Sequence, residues 1–231
     1  MKFLPTVFLT TLSAISTCTL AADFADFDIG FGYTHFGHQP NGIWYQEGFP
    51  YKITLDTPSV SIGARGKIND TWGWRAGYIN LGRAEVHSQV LADETVYNAS
   101  SPTHCNGPCW PLSQVHAVGD VQGLYATVNP QFQYWGINWV AEAGLFMYRP
   151  SWVVDIPVWY TNPAGPPDST RFTRKVTWQP GVTLGIGFRF KDAFTFMLSR
   201  YTCDAKSGNA EDQYPAIYHG GATVMSIRYD F

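Results

Sequence analysis

The stretch "TVMSIRYDF" occupies residues 223–231 and alternates without a break. Thr223, Met225, Ile227, Tyr229 and Phe231 share one face; Val224, Ser226, Arg228 and Asp230 share the other. Successive side chains of a β-strand point to opposite sides, so this is a strand with one apolar and one largely polar face. Its final residue is an aromatic, and no polar tail follows. Strand ends are solvated and frayed unless a sheet ties them down. The segment is therefore expected to be a paired strand whose two faces meet different surroundings.

The same period recurs along the chain. "FDIGFGYTHF" (27–36) sets Phe27, Ile29, Phe31 and Tyr33 against Asp28, Gly30, Gly32 and Thr34. "SVSIGARGKI" (59–68), "WGWRAGYINLGR" (72–83), "VQGLYATV" (121–128), "INWVAEAGLFMY" (137–148), "VTWQPGVTLGIGFRF" (176–190) and "FTFMLSRY" (194–201) repeat the pattern, although its phase blurs after Tyr78. No window shows a sustained helical period, and 22 Gly and 15 Pro argue against long helices. Together with 223–231 these segments make eight strands of the length that crosses a bilayer at a tilt.

The connections alternate in length. "NDT" (69–71), "NPQFQYWG" (129–136) and "KDA" (191–193) are short, whereas 37–58, 84–120, 149–175 and 202–220 are long. Short turns at one end and long loops at the other are the signature of a membrane barrel. Inside hydrocarbon every backbone polar group must be paired, which only helices and closed barrels achieve. The expected fold is all-β, a closed eight-stranded antiparallel transmembrane β-barrel with short periplasmic turns and four long extracellular loops.

Composition agrees. In 231 residues the charged fraction is 14% and the aromatic fraction 16%, with mean hydropathy of −0.13. A net charge of −3 gives no basic face for nucleic acid. The opening "MKFLPTVFLTTLSAISTCTLAADFADF" has a cation, a short apolar run and a small-residue end, the order of a secretory signal peptide. Residues 1–21 are expected to be removed, leaving 22–231 as the barrel domain. "IST" before Cys18 is a poor lipoprotein site. In an oxidising compartment Cys105 and Cys109 of "CNGPC" are expected to close a small loop disulfide. Neither a cofactor nor a metal site is expected.

On the expected lipid face, aromatics gather in two belts. Phe27, Trp72, Trp74, Trp139, Phe188, Phe190, Phe194, Phe196, Tyr229 and Phe231 stand toward the short turns. Tyr33, Trp152, Trp178 and Tyr201 stand toward the long loops, as in the girdles at membrane interfaces. The inward phase carries Asp28, Arg65, Lys67, Arg75, Glu142, Arg189, Arg228 and Asp230. A cation on the lipid side near the midplane would cost about 2–4 kcal/mol. Inside so narrow a lumen these charges must pair, with Glu142 expected to meet Arg75, Arg189 or Arg65. Arg65, Arg75, Glu142, Arg189 and Arg228 thus form an expected lumen network that plugs the barrel or, if the pairs exchange, gates it.

"DIGFGYTHF" (28–36), "LGIGFRFKDAFTFMLSRY" (184–201) and "MSIRYDF" (225–231) resemble the small OmpA/OmpX/OmpW-type outer-membrane barrels of Gram-negative cell envelopes. The resemblance implies a C-terminal signal read by the barrel-assembly machinery, on Ile227, Tyr229 and Phe231. It implies outer-membrane lipids and lipopolysaccharide as surroundings, and loops able to take an extracellular ligand. The expected role is structural or surface recognition. Two alternatives come with the family: a small-molecule channel of the OmpW type, and a lipid A or phospholipid acyl hydrolase or acyltransferase. The enzyme reading needs a Ser, a His and an orienting carboxylate within hydrogen-bond reach. His35, His38, Ser199, Asp204, Glu211 and His219 are the candidates. The His-x-Ser arrangement of the deacylases is absent from the membrane strands, and "VHSQV" (86–90) has the pair adjacent, on the wrong phase. The expectation is a protein without enzymatic activity.

Overall fold

The computed structural model describes residues 25–38, 50–91, 112–159, 168–175, 177–191, 193–203 and 220–231. The leader 1–21 and Cys105–Cys109 lie outside them. Ten strands are present among the described residues: β1 (Asp26–Phe36), β2 (Tyr51–Thr54), β3 (Asp56–Lys67), β4 (Trp72–Leu91), β5 (Leu112–Tyr134), β6 (Ile137–Trp159), β7 (Asp168–Lys175), β8 (Gln179–Phe190), β9 (Phe194–Tyr201) and β10 (Ala222–Asp230). Eight of them pair antiparallel in a ring, β1-β3-β4-β5-β6-β8-β9-β10, and β10 returns to β1. Asp28 stands opposite Asp230 and Phe31 opposite Ile227 across that closure, and the Phe231 amide donates to the Phe27 carbonyl at 2.9 Å. The protein is a closed eight-stranded transmembrane barrel with no open sheet edge in its wall.

The alternation decides which way each strand faces. Val60, Ile62, Leu124, Leu145, Leu184, Leu198 and Met225 lie on the outside, between 45% and 68% exposed. Their in-sequence neighbours Ser59, Ser61, Tyr125, Phe146, Thr183, Ser199 and Val224 are buried. A contiguous apolar band running round a whole barrel far exceeds the patches that water-soluble proteins expose, so lipid is its solvent. No helix among the described residues is long and apolar enough to cross a membrane.

At one end the strands are joined by tight turns. Asn69 Oδ1 accepts from the Thr71 and Trp72 amides at 2.9 and 2.8 Å, fixing the β3–β4 turn. The connection expected over 129–136 contracts to Trp135 and Gly136, both at positive φ (53° and 75°), as a mirror-image two-residue hairpin requires. The strands continue up to it on both sides. Outward aromatics gather here: Phe194 lies 5.2 Å from Tyr229, which meets Phe231 edge-on at 5.0 Å, and Phe188 stacks on Phe196 at 5.1 Å.

The other end departs from the sequence reading. β4, β5 and β6 run 20, 23 and 23 residues instead of ending near Arg83, Val121 and Tyr148. At about 3.3 Å per residue and a tilt near 40°, 23 residues rise roughly 58 Å, some 30 Å more than the apolar band needs. β2 pairs with the extension of β4 and β7 with that of β6, so a sheet in the order β2-β4-β5-β6-β7 stands out beyond the lipid. Segments whose composition suggests loop are strands because a long partner offers them a ladder.

The blurred phase after Tyr78 has its cause in a bulge between Asn80 and Gly82. Arg75, Gly77 and Ile79 point inward below it and Leu81 within it; Ala84, Val86 and Ser88 point inward above it. One extra residue inverts the face of everything that follows. Gly82 sits at φ +90°, and its amide donates to Asn80 Oδ1 at 2.9 Å.

Candidate functional site

Among the described residues two places concentrate polar chemistry: the lumen near the short turns and the outer face of the projecting sheet. In the lumen each expected arginine faces a carboxylate. Arg75 of β4 donates through Nε and Nη2 to both oxygens of Asp28 on β1, the first at 2.8 Å, and its guanidinium covers the Tyr125 ring at 4.5 Å. Arg228 of β10 forks onto Glu142 of β6, Nη2 to Oε2 at 2.9 Å, and Asn129 Nδ2 donates to the same carboxylate at 2.8 Å. Arg65 Nη1 lies 2.7 Å from Asp230 Oδ2, with Asp26 at 3.6 Å; Arg189 reaches Asp230 at 3.9 Å and Gln131 at 3.5 Å.

The partner of Glu142 is thus Arg228, not Arg75, Arg189 or Arg65. Strands β6 and β10 lie across the lumen from one another, separated along the wall by β8 and β9. The long Arg228 stem spans that gap, while Arg75 is taken by Asp28. Buried charges need such pairs with their remaining hydrogen bonds filled. Lys67, expected inside, is exposed at the end of β3 beside the turn.

Above this layer the filling is mainly apolar, although Thr34, Ser59, Thr183 and Ser199 are also buried on the inward phase. Leu81, Val86, Val121, Phe146 and Val154 are fully buried, and Phe146 stacks with Tyr148 at 5.5 Å and meets Tyr201 edge-on at 5.0 Å. Trp152 (3% exposed) and Tyr201 (2%) belong to this core, not to an outer aromatic belt. They fall on the inward phase of β6 and β9, shared with Glu142 and Ser199. Tyr33 and Trp178 do face outward. A cavity of about 90 Å³ opens at the short-turn end among Asp26, Arg65, Gln131, Arg189 and Asp230. Higher up, between Ser61, Tyr201 and Arg228, about 10 Å³ is left, the room of one water.

The enzyme candidates are not brought together among the described residues. His35 Nδ1 lies 2.8 Å from Asp56 Oδ1 and is exposed, while Ser199 is buried inside the barrel. His38 Nε2 meets the Tyr51 hydroxyl. His87 is exposed and Ser88 buried, on opposite faces of β4. Asp204, Glu211 and His219 lie outside the described residues.

One cluster escaped the sequence reading. On the outer face of the projecting sheet, Glu85 Oε1 lies 3.1 Å from His87 Nε2 and 2.7 Å from His116 Nε2. The hydrogen bond from His116 holds the Glu85 carboxyl below the usual carboxylate range. His87 and His116 are cross-strand partners with stacked rings, 4.2 Å apart and 9° from parallel. The bulge places Glu85 and His87 outward, and a register linking residues about thirty apart brings His116 to them; neither is visible in local periodicity. The outward-facing Ile227, Tyr229 and Phe231 are 46%, 40% and 72% exposed.

No protein-family model matches the chain, and no curated protein sequence matches it. Among solved structures it is similar to Ail, the attachment invasion locus protein of Yersinia pestis, in complex with the heparin analogue sucrose octasulfate, at 11% identity and TM-score 0.41, over 90% of this chain and 99% of that one. Ail without that ligand matches at 11% identity and TM-score 0.40, over 90% and 97%. The translocator domain of the autotransporter NalP from Neisseria meningitidis matches at 10% identity and TM-score 0.20, over 97% and 98%.

Proposed function

We propose that the protein is a surface protein of a Gram-negative outer membrane: a closed, non-conducting barrel that carries a projecting sheet and long loops for extracellular contacts. The observation that carries this reading is the filling of the lumen at two levels. Charge pairs occupy the short-turn half, and an aromatic and aliphatic core occupies the half toward the loops. A diffusion pore needs a continuous polar path. An apolar layer around Phe146, Tyr148 and Tyr201 interrupts it. The barrel then serves as a rigid base for the sheet β2-β4-β5-β6-β7.

Several expectations belong to the same proposal. Residues 1–21 direct export, and Ile227, Tyr229 and Phe231 are read by the assembly machinery. The "CNGPC" loop is closed by a Cys105–Cys109 disulfide, lipopolysaccharide surrounds the outer half, and Arg65, Arg75, Glu142, Arg189 and Arg228 act as a plug. An acyl hydrolase would need a Ser and a His on one face, and Ser199 and His35 lie on opposite faces. Single-channel recording in planar bilayers tests the reading. The expected record is a flat baseline over the range where porins open; discrete, repeatable steps would replace this proposal with the channel.

A further inference from the structure

We propose that Glu85, His87 and His116 form a binding site for a divalent transition-metal ion of the zinc and copper class, on the outer face of the projecting sheet. Their ligand atoms all lie within 4.8 Å of one another. Both Nε2 atoms converge on one carboxylate oxygen. Cross-strand pairing holds the two rings side by side, stacked nearly parallel. An imidazole binds a metal in the plane of its ring, so an ion held by all three would tilt the two rings out of their parallel stack to reach metal–nitrogen and metal–oxygen distances of about 2.0–2.2 Å.

The donor set selects the ion. Imidazole with one carboxylate suits zinc, copper and nickel, whereas calcium and magnesium require oxygen ligands throughout. Three protein ligands leave a coordination position for water or for a donor from another molecule. Access is open: the side chains of His87, His116 and Glu85 are 52%, 37% and 40% exposed, and both histidines border a groove with Tyr51, Lys52, Gln89 and Gln114. The two strands that supply the ligands have their inner face anchored by Val86, Val115 and Ala117, all buried. Lys52 stands in register beside His87 and Asp155 in register beside His116, with Arg171 in register beside Asp155 in turn.

The competing account is a carboxylate hydrogen-bonded to two histidines with no affinity for metal. Untagged full-length protein, folded in detergent, is titrated with zinc against a chromophoric chelator at neutral pH. The expected result is one zinc per chain, weakened roughly tenfold or more in His87→Ala and in His116→Ala, since even outer-shell losses act on that scale. His35→Ala, which removes a histidine from β1, should bind as the unmodified protein does. Absence of saturable binding, or binding unchanged in both sheet variants, would overturn the site. Copper bound to the unmodified protein supplies a readout that needs no variant: its paramagnetic resonance spectrum should carry splitting from two nitrogens. An all-oxygen spectrum would count against the proposal.

Discussion

Arg228 and Glu142 show how much rests on single side chains in a lumen this narrow. Each is about 95% buried, and each carries the charge that compensates the other. Removing one partner leaves an uncompensated ion, a loss on the order of 3–5 kcal/mol. Replacing both by apolar residues of similar volume removes the liability along with the attraction. Arg228→Met and Glu142→Leu are each expected to lower stability strongly, and the double variant to recover most of that loss. Urea unfolding of bilayer-refolded protein, followed by tryptophan fluorescence, measures the cycle. Strictly additive losses would mean that the pair does not act as a unit. The inward placement of both residues was legible in the alternation, because period two assigns a face without knowledge of the fold. Their pairing was not, since it depends on which wall positions stand across the lumen. Trp152 and Tyr201 differ from expectation for a related reason: aromatic identity suggests a membrane belt where strand phase dictates the core.

At the scale of the element, β4 decides what the projecting sheet presents. Its bulge turns Ala84, Val86 and Ser88 inward and Arg83, Glu85 and His87 outward. Gly82 makes this possible. Its φ of +90° is costly for any residue with a Cβ, by about 1–2 kcal/mol, and a Cβ there would stand 2.4 Å from Thr57 Cγ2 and from the Pro58 carbonyl oxygen. Gly82→Ala is therefore expected to destabilise by roughly 2 kcal/mol or more, whereas Arg83→Ala, at an exposed neighbour, stays within about 0.5 kcal/mol. Hydrogen exchange read by mass spectrometry locates the effect. Protection should fall in 83–91 and in its partner strand 112–120, with 72–79 nearly unchanged; a uniform loss over the barrel would show that the bulge has no local role. The core alternation of eight strands was legible because lipid and lumen impose opposite demands on successive residues. The extensions of β4, β5 and β6 were not, because above the lipid the outer face turns polar and the contrast between faces fades. His116 is the instructive case: only the pairing of two strands past a bulge brings it to Glu85.

For the whole molecule the decisive step is closure of β10 on β1. Nine residue pairs from Asp28–Asp230 to Phe36–Ala222 join the first barrel strand to the last. Until they form, both strands present unpaired amides and carbonyls, which hydrocarbon does not tolerate. Phe231 adds one bond across the seam, its amide to the Phe27 carbonyl, while its ring packs against Tyr229 of its own strand. Phe231→Ala keeps the backbone bond and removes only the ring. If the seam alone matters, refolding into lipid vesicles should be slowed little, because an exposed interfacial aromatic contributes about 1 kcal/mol or less. If the ring is also read during assembly, yield in the outer membrane of living cells should fall much further than refolding does in the test tube. Heat-modifiable gel mobility reports folded barrel in both settings. The expected outcome is a large loss in cells beside a small one in vesicles. Equal losses in the two settings would assign Phe231 to the seam and remove its role as an assembly signal.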